Sequence, residues 1–113
     1  MAECIFCKIA AGEIPADTVL ERDGLLVFKD IQPKAPVHVL VIPTKHVETV
    51  DDLSDGDESL AGRMVLAARD AARQLGVEKD GYRLVMNCRS SAGQEVFHIH
   101  LHLLAGRPMG AMG

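Results

Sequence analysis

His98, His100 and His102 occupy alternate positions in the run Phe97-His98-Ile99-His100-Leu101-His102-Leu103-Leu104. Successive side chains of a β-strand point to opposite faces. The spacing therefore predicts three imidazoles on one face and Phe97, Ile99, Leu101 and Leu103 on the other. Same-face neighbours on a strand stand roughly 7 Å apart, near enough for one ring to react while the others orient it. Imidazole is the side chain best suited to attack, or to give and take a proton, near neutral pH. A neutral ring nitrogen can attack phosphorus when its second nitrogen is kept protonated by an acceptor. Charge then spreads over the phosphate oxygens and calls for donors. The preceding segment offers Asn87, Ser90, Ser91, Gln94 and the backbone N–H groups around Gly93. A polar edge strand that merely contains histidines fits poorly, because three of the five histidines fall on consecutive same-face positions. One zinc held by all three fits no better, since the rings would spread over roughly 14 Å. The chain has no glycine-rich phosphate loop and no Gly-x-Ser-x-Gly turn, which argues against nucleotide binding by those loops and against a serine hydrolase.

A second constellation joins the pair Cys4-Ile5-Phe6-Cys7 to His46 and the histidine run. Two cysteines with two histidines match tetrahedral zinc stoichiometry. A thioredoxin-like redox pair is an alternative, although such a pair normally follows a strand at a helix start. Two inert cysteines are another. Cys88 reads as a small hydrophobe near the end of a strand.

These residues need a scaffold. A short helix over about residues 4–11 ends at Gly12, and Ile14-Pro15 starts an extended segment. Strands over 18–21 and 25–29 flank Asp23-Gly24, a hairpin turn signal. The loop Asp30-Ile31-Gln32-Pro33-Lys34-Ala35-Pro36 leads to a β-branched strand over 37–42, closed by Pro43. Ser54 is placed to cap a helix that carries Leu60, Met64, Ala67, Ala68, Ala71 and Leu75 on one stripe and ends at Gly76. Strands over 82–87 and 96–104 complete an α+β fold with a five-stranded antiparallel sheet, one long helix and a short N-terminal helix.

The 113 residues form one expected domain, 1–113. Apolar residues make up 48% and charged residues 25%, an ordinary globular balance. A net charge of −4 without a basic cluster argues against a nucleic-acid polymer as partner. No apolar run approaches membrane-span length and the N-terminus lacks a signal-like stretch, so a cytoplasmic protein with no membrane partner is expected.

The run His98-Ile99-His100-Leu101-His102-Leu103-Leu104 resembles the His-φ-His-φ-His-φ-φ signature, where φ is apolar, of the histidine triad (HIT) superfamily. The likeness covers nearly the whole chain and is nearest its Hint branch of nucleotide-binding hydrolases. Ile5–Ile9, Gly12–Ala16, Phe28–Ile31, Ala35–His38, Val41–His46 and Gly93-Gln94 support it. The resemblance implies cleavage of purine, AMP-type nucleoside phosphoramidates or related conjugates through a covalent nucleotidyl-histidine. It makes His100 the nucleophile, with His102 contacting the phosphate or leaving group and His98 orienting its neighbours. Asn87, Gly93, Gln94 and the backbone of Glu95 match phosphate-contacting positions. Asp30 matches a ribose acceptor, and Phe6, Ile9, Phe28 and Ile31 a base pocket. It further implies a structural zinc on Cys4, Cys7, His46 and His98, no organic cofactor, and a homodimer that continues the sheet. Two departures stand out. Glu95 replaces a common Ser, and its carboxylate is expected to turn away from the phosphate. The tail Arg107–Gly113 lacks the tryptophan some relatives carry. A nucleotide-binding interaction module with incidental catalysis is the alternative function, because a retained triad suits both.

Overall fold

A computed structural model describes residues 4–113. Five antiparallel strands, β1 (Thr18–Arg22), β2 (Leu25–Lys29), β3 (Val37–Pro43), β4 (Arg83–Val85) and β5 (Leu101–Ala105), lie in the order β1-β2-β3-β5-β4. The first two are joined at Asp23-Gly24. Both residues have positive φ (40° and 76°), as a tight turn matching strand twist requires. Helix α1 (Ile5–Ala10) covers one face of the sheet and α2 (Glu58–Gln74) the other.

Strand alternation sorts the core into two layers. Leu25, Val27, Val39, Val41, Leu101, Leu103 and Ala105 pack against α2, which buries Leu60, Met64, Ala67, Ala68, Ala71 and Ala72. Leu26, Phe28, Leu40 and Ile42 face the other way and meet Phe6 of α1. Met64 is fully buried, which contributes about 1.5–3 kcal/mol by transfer alone. At its N-terminus α2 is preceded by a 3-10 turn, Asp55–Asp57, where the Asp57 carboxylate accepts from the Ser54 backbone N–H at 3.0 Å. The helix expected to start directly at Ser54 thus begins one turn later.

The last two strands are shorter than the sequence predicts. The segment expected at 82–87 pairs only over Arg83–Val85, and the one expected from residue 96 begins at Leu101. The register shows why. Leu101 lies opposite Val41, and two residues on, Pro43 has no N–H with which to continue the ladder. His98 and His100 therefore precede the strand. Phe97, expected on one strand face with Ile99, is exposed at 42% while Ile99 is buried.

Candidate functional site

A cavity of about 510 Å³ opens on the α1 face of the sheet. Phe6 and Ile9 of α1, Phe28 at the end of β2, and Asp30, Ile31 and Lys34 of the following loop contribute to its lining. His38 and Leu40 of β3, Val85 and Asn87 at the end of β4, Gly93, Glu95, His100 and His102 line it as well. Leu40 lies opposite His102 and His38 opposite Leu104, so the sheet register brings these side chains to one face. Of the residues assigned to a nucleotide by resemblance, only Gln94 is absent from the lining. Its buried amide instead holds its own loop: Oε1 accepts from the Arg89 N–H at 2.7 Å, and Nε2 donates to the Glu48 carbonyl at 2.7 Å and the Val96 carbonyl at 3.1 Å. Ser90 and Ser91 lie in a 3-10 turn outside the cavity. Ile31 reaches the cavity while 92% exposed, whereas Phe6 and Phe28 are buried and meet edge-to-face at 5.7 Å. Gly93 has φ +100°, and its missing side chain would point at the Asn87 amide nitrogen, 3.9 Å away.

Hydrogen bonds fix the tautomer of each cavity histidine. The Lys34 backbone N–H donates to His38 Nδ1 at 3.0 Å, so a neutral His38 carries its proton on Nε2. That nitrogen lies 3.0 Å from His102 Nδ1, which must then accept, leaving Nε2–H as the donor of His102. His100 Nδ1 lies 2.8 Å from the His98 carbonyl and can only donate to it, so His100 Nε2 carries a free lone pair. Burial favours the neutral rings. It lowers the pKa of His38, against the pull of Asp30, and that of His100, against its bond to the His98 carbonyl and the charges of Asp30 and Glu95. His102 is held down to about 4, by burial first and then by His100 and His38. At neutral pH the cavity thus presents one nucleophilic nitrogen and one N–H donor, their rings 4.9 Å apart. His38 is a site residue that the sequence argument passed over. Its signal was present, since it shares a strand face with Leu40 and Ile42 where an apolar residue would be ordinary.

The first triad histidine turns away from the cavity. His98 is fully buried, and its Nε2–H donates to the Pro43 carbonyl at 2.7 Å. Burial lowers its pKa, opposed by that bond. Its Nδ1 therefore offers a lone pair, 3.3 Å from Cys4 Sγ, 3.5 Å from Cys7 Sγ and 3.2 Å from His46 Nδ1. Cys7 Sγ lies 3.3 Å from His46 Nδ1. A tetrahedral ion with bonds of about 2.0–2.1 Å to nitrogen and about 2.3 Å to sulfur separates its ligand atoms by about 3.3–3.8 Å, close to these edges. The four residues thus form a cluster that could hold a metal ion. His46 turns its Nδ1 inward although this leaves its Nε2 buried without a partner. Burial and the adjacent Cys4 raise the Cys7 thiol, a cost that a bound cation would remove. Asp30, His38 and His102 form a second close group, but the Lys34 amide occupies His38 Nδ1 and so keeps a proton, not a lone pair, on Nε2.

Comparison with known proteins agrees with this geometry. A family model described as the HIT domain matches residues 11–109. The chain is 50% identical over 110 residues to the purine nucleoside phosphoramidase of Escherichia coli (strain K12), covering 97% of this chain and 92% of that one. It is 49% identical to an uncharacterised HIT-like protein of Synechocystis, over 96% and 95% of the two chains. A crystal structure of a HIT family hydrolase from Legionella pneumophila superposes with a TM-score of 0.93 at 51% identity, with 96% of each chain covered. A histidine triad protein from Clostridium difficile superposes with a TM-score of 0.96 at 40% identity, over 100% of this chain and 98% of that one.

Proposed function

The chain belongs to the HIT family, and on that premise we propose that it hydrolyses purine nucleoside phosphoramidates or related nucleotidyl conjugates. The observation that carries the reading is the complementary pair of tautomers, a free lone pair on His100 Nε2 beside an N–H on His102, in a cavity of nucleotide size. His100 Nε2 attacks phosphorus, and the bond from phosphorus to the leaving nitrogen breaks as His102 Nε2 gives that nitrogen a proton. Water then attacks the phosphorus bound to His100, returns a proton to His102 and releases the nucleoside monophosphate. The His98 carbonyl holds His100 Nδ1–H as charge develops on the ring, and Asn87 with the N–H groups near Gly93 meets the phosphate oxygens. Asp30 receives the ribose hydroxyls, while Phe6, Ile9, Phe28 and Ile31 hold the base.

The 50% identity to an enzyme named purine nucleoside phosphoramidase supports this substrate class. The Cys4, Cys7, His46 and His98 cluster takes zinc in a structural role, because all four ligands come from the chain and none is left for substrate. Its contribution to chemistry is indirect, since it fixes the His98 backbone that holds His100. No organic cofactor is required. The chain works as a single-domain homodimer joined along the exposed edge of β4, which covers an otherwise unpaired strand. Its three free cysteines suit a reducing cytoplasm, and no helix among the described residues is long and apolar enough to cross a membrane. His100→Ala tests the reading. Turnover of an adenosine phosphoramidate is expected to vanish while AMP still binds. Near wild-type turnover by this variant would remove His100 as nucleophile, and absence of turnover by the native protein would favour an interaction module.

A further inference from the structure

Glu95 is a negative charge in a cavity proposed to receive another. It lines the cavity beside His100, His102, Asn87 and Gly93. Among the described residues its carboxylate takes part in no ion pair. The segment that carries it is fixed on both sides. Gln94 is buried with both ends of its amide bonded, and Val96 packs against the apolar cluster under α1. Glu95 is exposed where it lines the cavity, and its negative charge favours the protonated form of His100. Lys34 also lines the cavity, its charge felt by His38 and His102, and among the described residues it does not pair with Glu95. A phosphate site gains affinity from donors and cations, and an unpaired carboxylate opposes it in proportion to the charge on the ligand.

The reaction changes that charge. A phosphoramidate monoester has a single ionisable P–OH and carries one negative charge. The nucleoside monophosphate produced from it has two, and with a second pKa near 6 it is mostly dianionic at neutral pH. We propose that Glu95 is a charge-discriminating residue that disfavours the dianionic product more than the monoanionic substrate. It thereby speeds product departure and keeps free nucleoside monophosphates from filling the site. This rests on the nucleotide-hydrolase reading above and adds to it a basis for selection by ligand charge.

The test measures binding by calorimetry for three ligands that differ mainly in charge, namely adenosine, adenosine 5′-methylphosphate and AMP, with native protein and the Glu95→Gln and Glu95→Asp variants. With Glu95→Gln the affinity for adenosine is expected to stay unchanged, while methylphosphate binding tightens about threefold and AMP binding about tenfold. The gain for AMP should shrink in about 1 M salt, and Glu95→Asp should retain native selectivity. In turnover assays the inhibition constant of AMP should fall more than the KM of the phosphoramidate. An AMP affinity unchanged by Glu95→Gln would overturn the proposal. Equal tightening of all three ligands would overturn it as well, because that marks a change of shape. If the native protein binds none of the three, the nucleotide reading fails and this inference fails with it.

Discussion

Acid should weaken this fold through His102, by an amount the site allows us to estimate. The ring titrates at 6.5 when unperturbed and at about 4 in the folded protein, held down first by burial and then by His100 and His38. Folding thus prefers the neutral ring. Above about pH 6.5 both states are neutral there and the group costs nothing; between about 6.5 and 4 the unfolded chain binds a proton that the folded one refuses, and stability falls with pH. A difference of about 2.5 pH units at 1.36 kcal/mol each gives about 3.4 kcal/mol over the whole range. Because the ring is partly exposed, solvent screening reduces this to about 2 kcal/mol. Urea denaturation followed by far-UV circular dichroism suits a chain without tryptophan. Run at about pH 7.5 and about pH 4.5, where most of the range has been crossed, it should show the native protein losing about 1.5 kcal/mol more than His102→Gln does. The groups facing His102, namely His100, His38, Asp30 and Lys34, remain in both proteins, so the difference isolates this ring and its coupling to them. Equal losses in the two proteins would refute the reasoning.

Two further outcomes follow from the site and the sheet edge. Metal analysis of protein purified without added zinc should find one zinc per chain, and Cys4→Ser should lose that metal and lower the Tm; intact, reduced thiols without zinc would contradict the assignment. Light scattering at micromolar concentration should give a mass near twice the 12.2 kDa of one chain, and a monomer there would count against pairing along β4.

Local rules carried much of this architecture. Asp23-Gly24 marked a turn that only small or turn-forming residues tolerate, and the apolar stripe from Leu60 to Ala71 marked a helix, because both signals lie within a few neighbouring residues. The histidine spacing likewise marked the segment that carries the site, although of the three only His100 and His102 line the cavity and His98 joins Cys4, Cys7 and His46. What escaped the sequence depends on how distant segments align. The strand pattern marks His38 as an odd residue on an apolar face, but only the register that sets Leu40 against His102 brings it to the cavity, and no local pattern states that register. Gln94 has the chemistry of a phosphate contact, yet its loop consumes that chemistry through Arg89, Glu48 and Val96. The early end of the ladder at Pro43 leaves Phe97 four residues before the first paired position, Leu101, where the period-two rule no longer governs it and its side chain is exposed.

His98 places three different demands on a single residue. Its Nδ1 points into the Cys4, Cys7 and His46 cluster, its Nε2–H holds Pro43, and its carbonyl holds His100. A cysteine there would keep a metal ligand but give up the hold on the end of β3, and an asparagine could hold the carbonyl but would be a poor ligand. No other genetically encoded side chain offers a neutral donor and a soft lone pair on opposite sides of one rigid ring. The freedom of this position to drift is therefore far smaller than that of His38 or Glu95, each of which answers to the cavity alone.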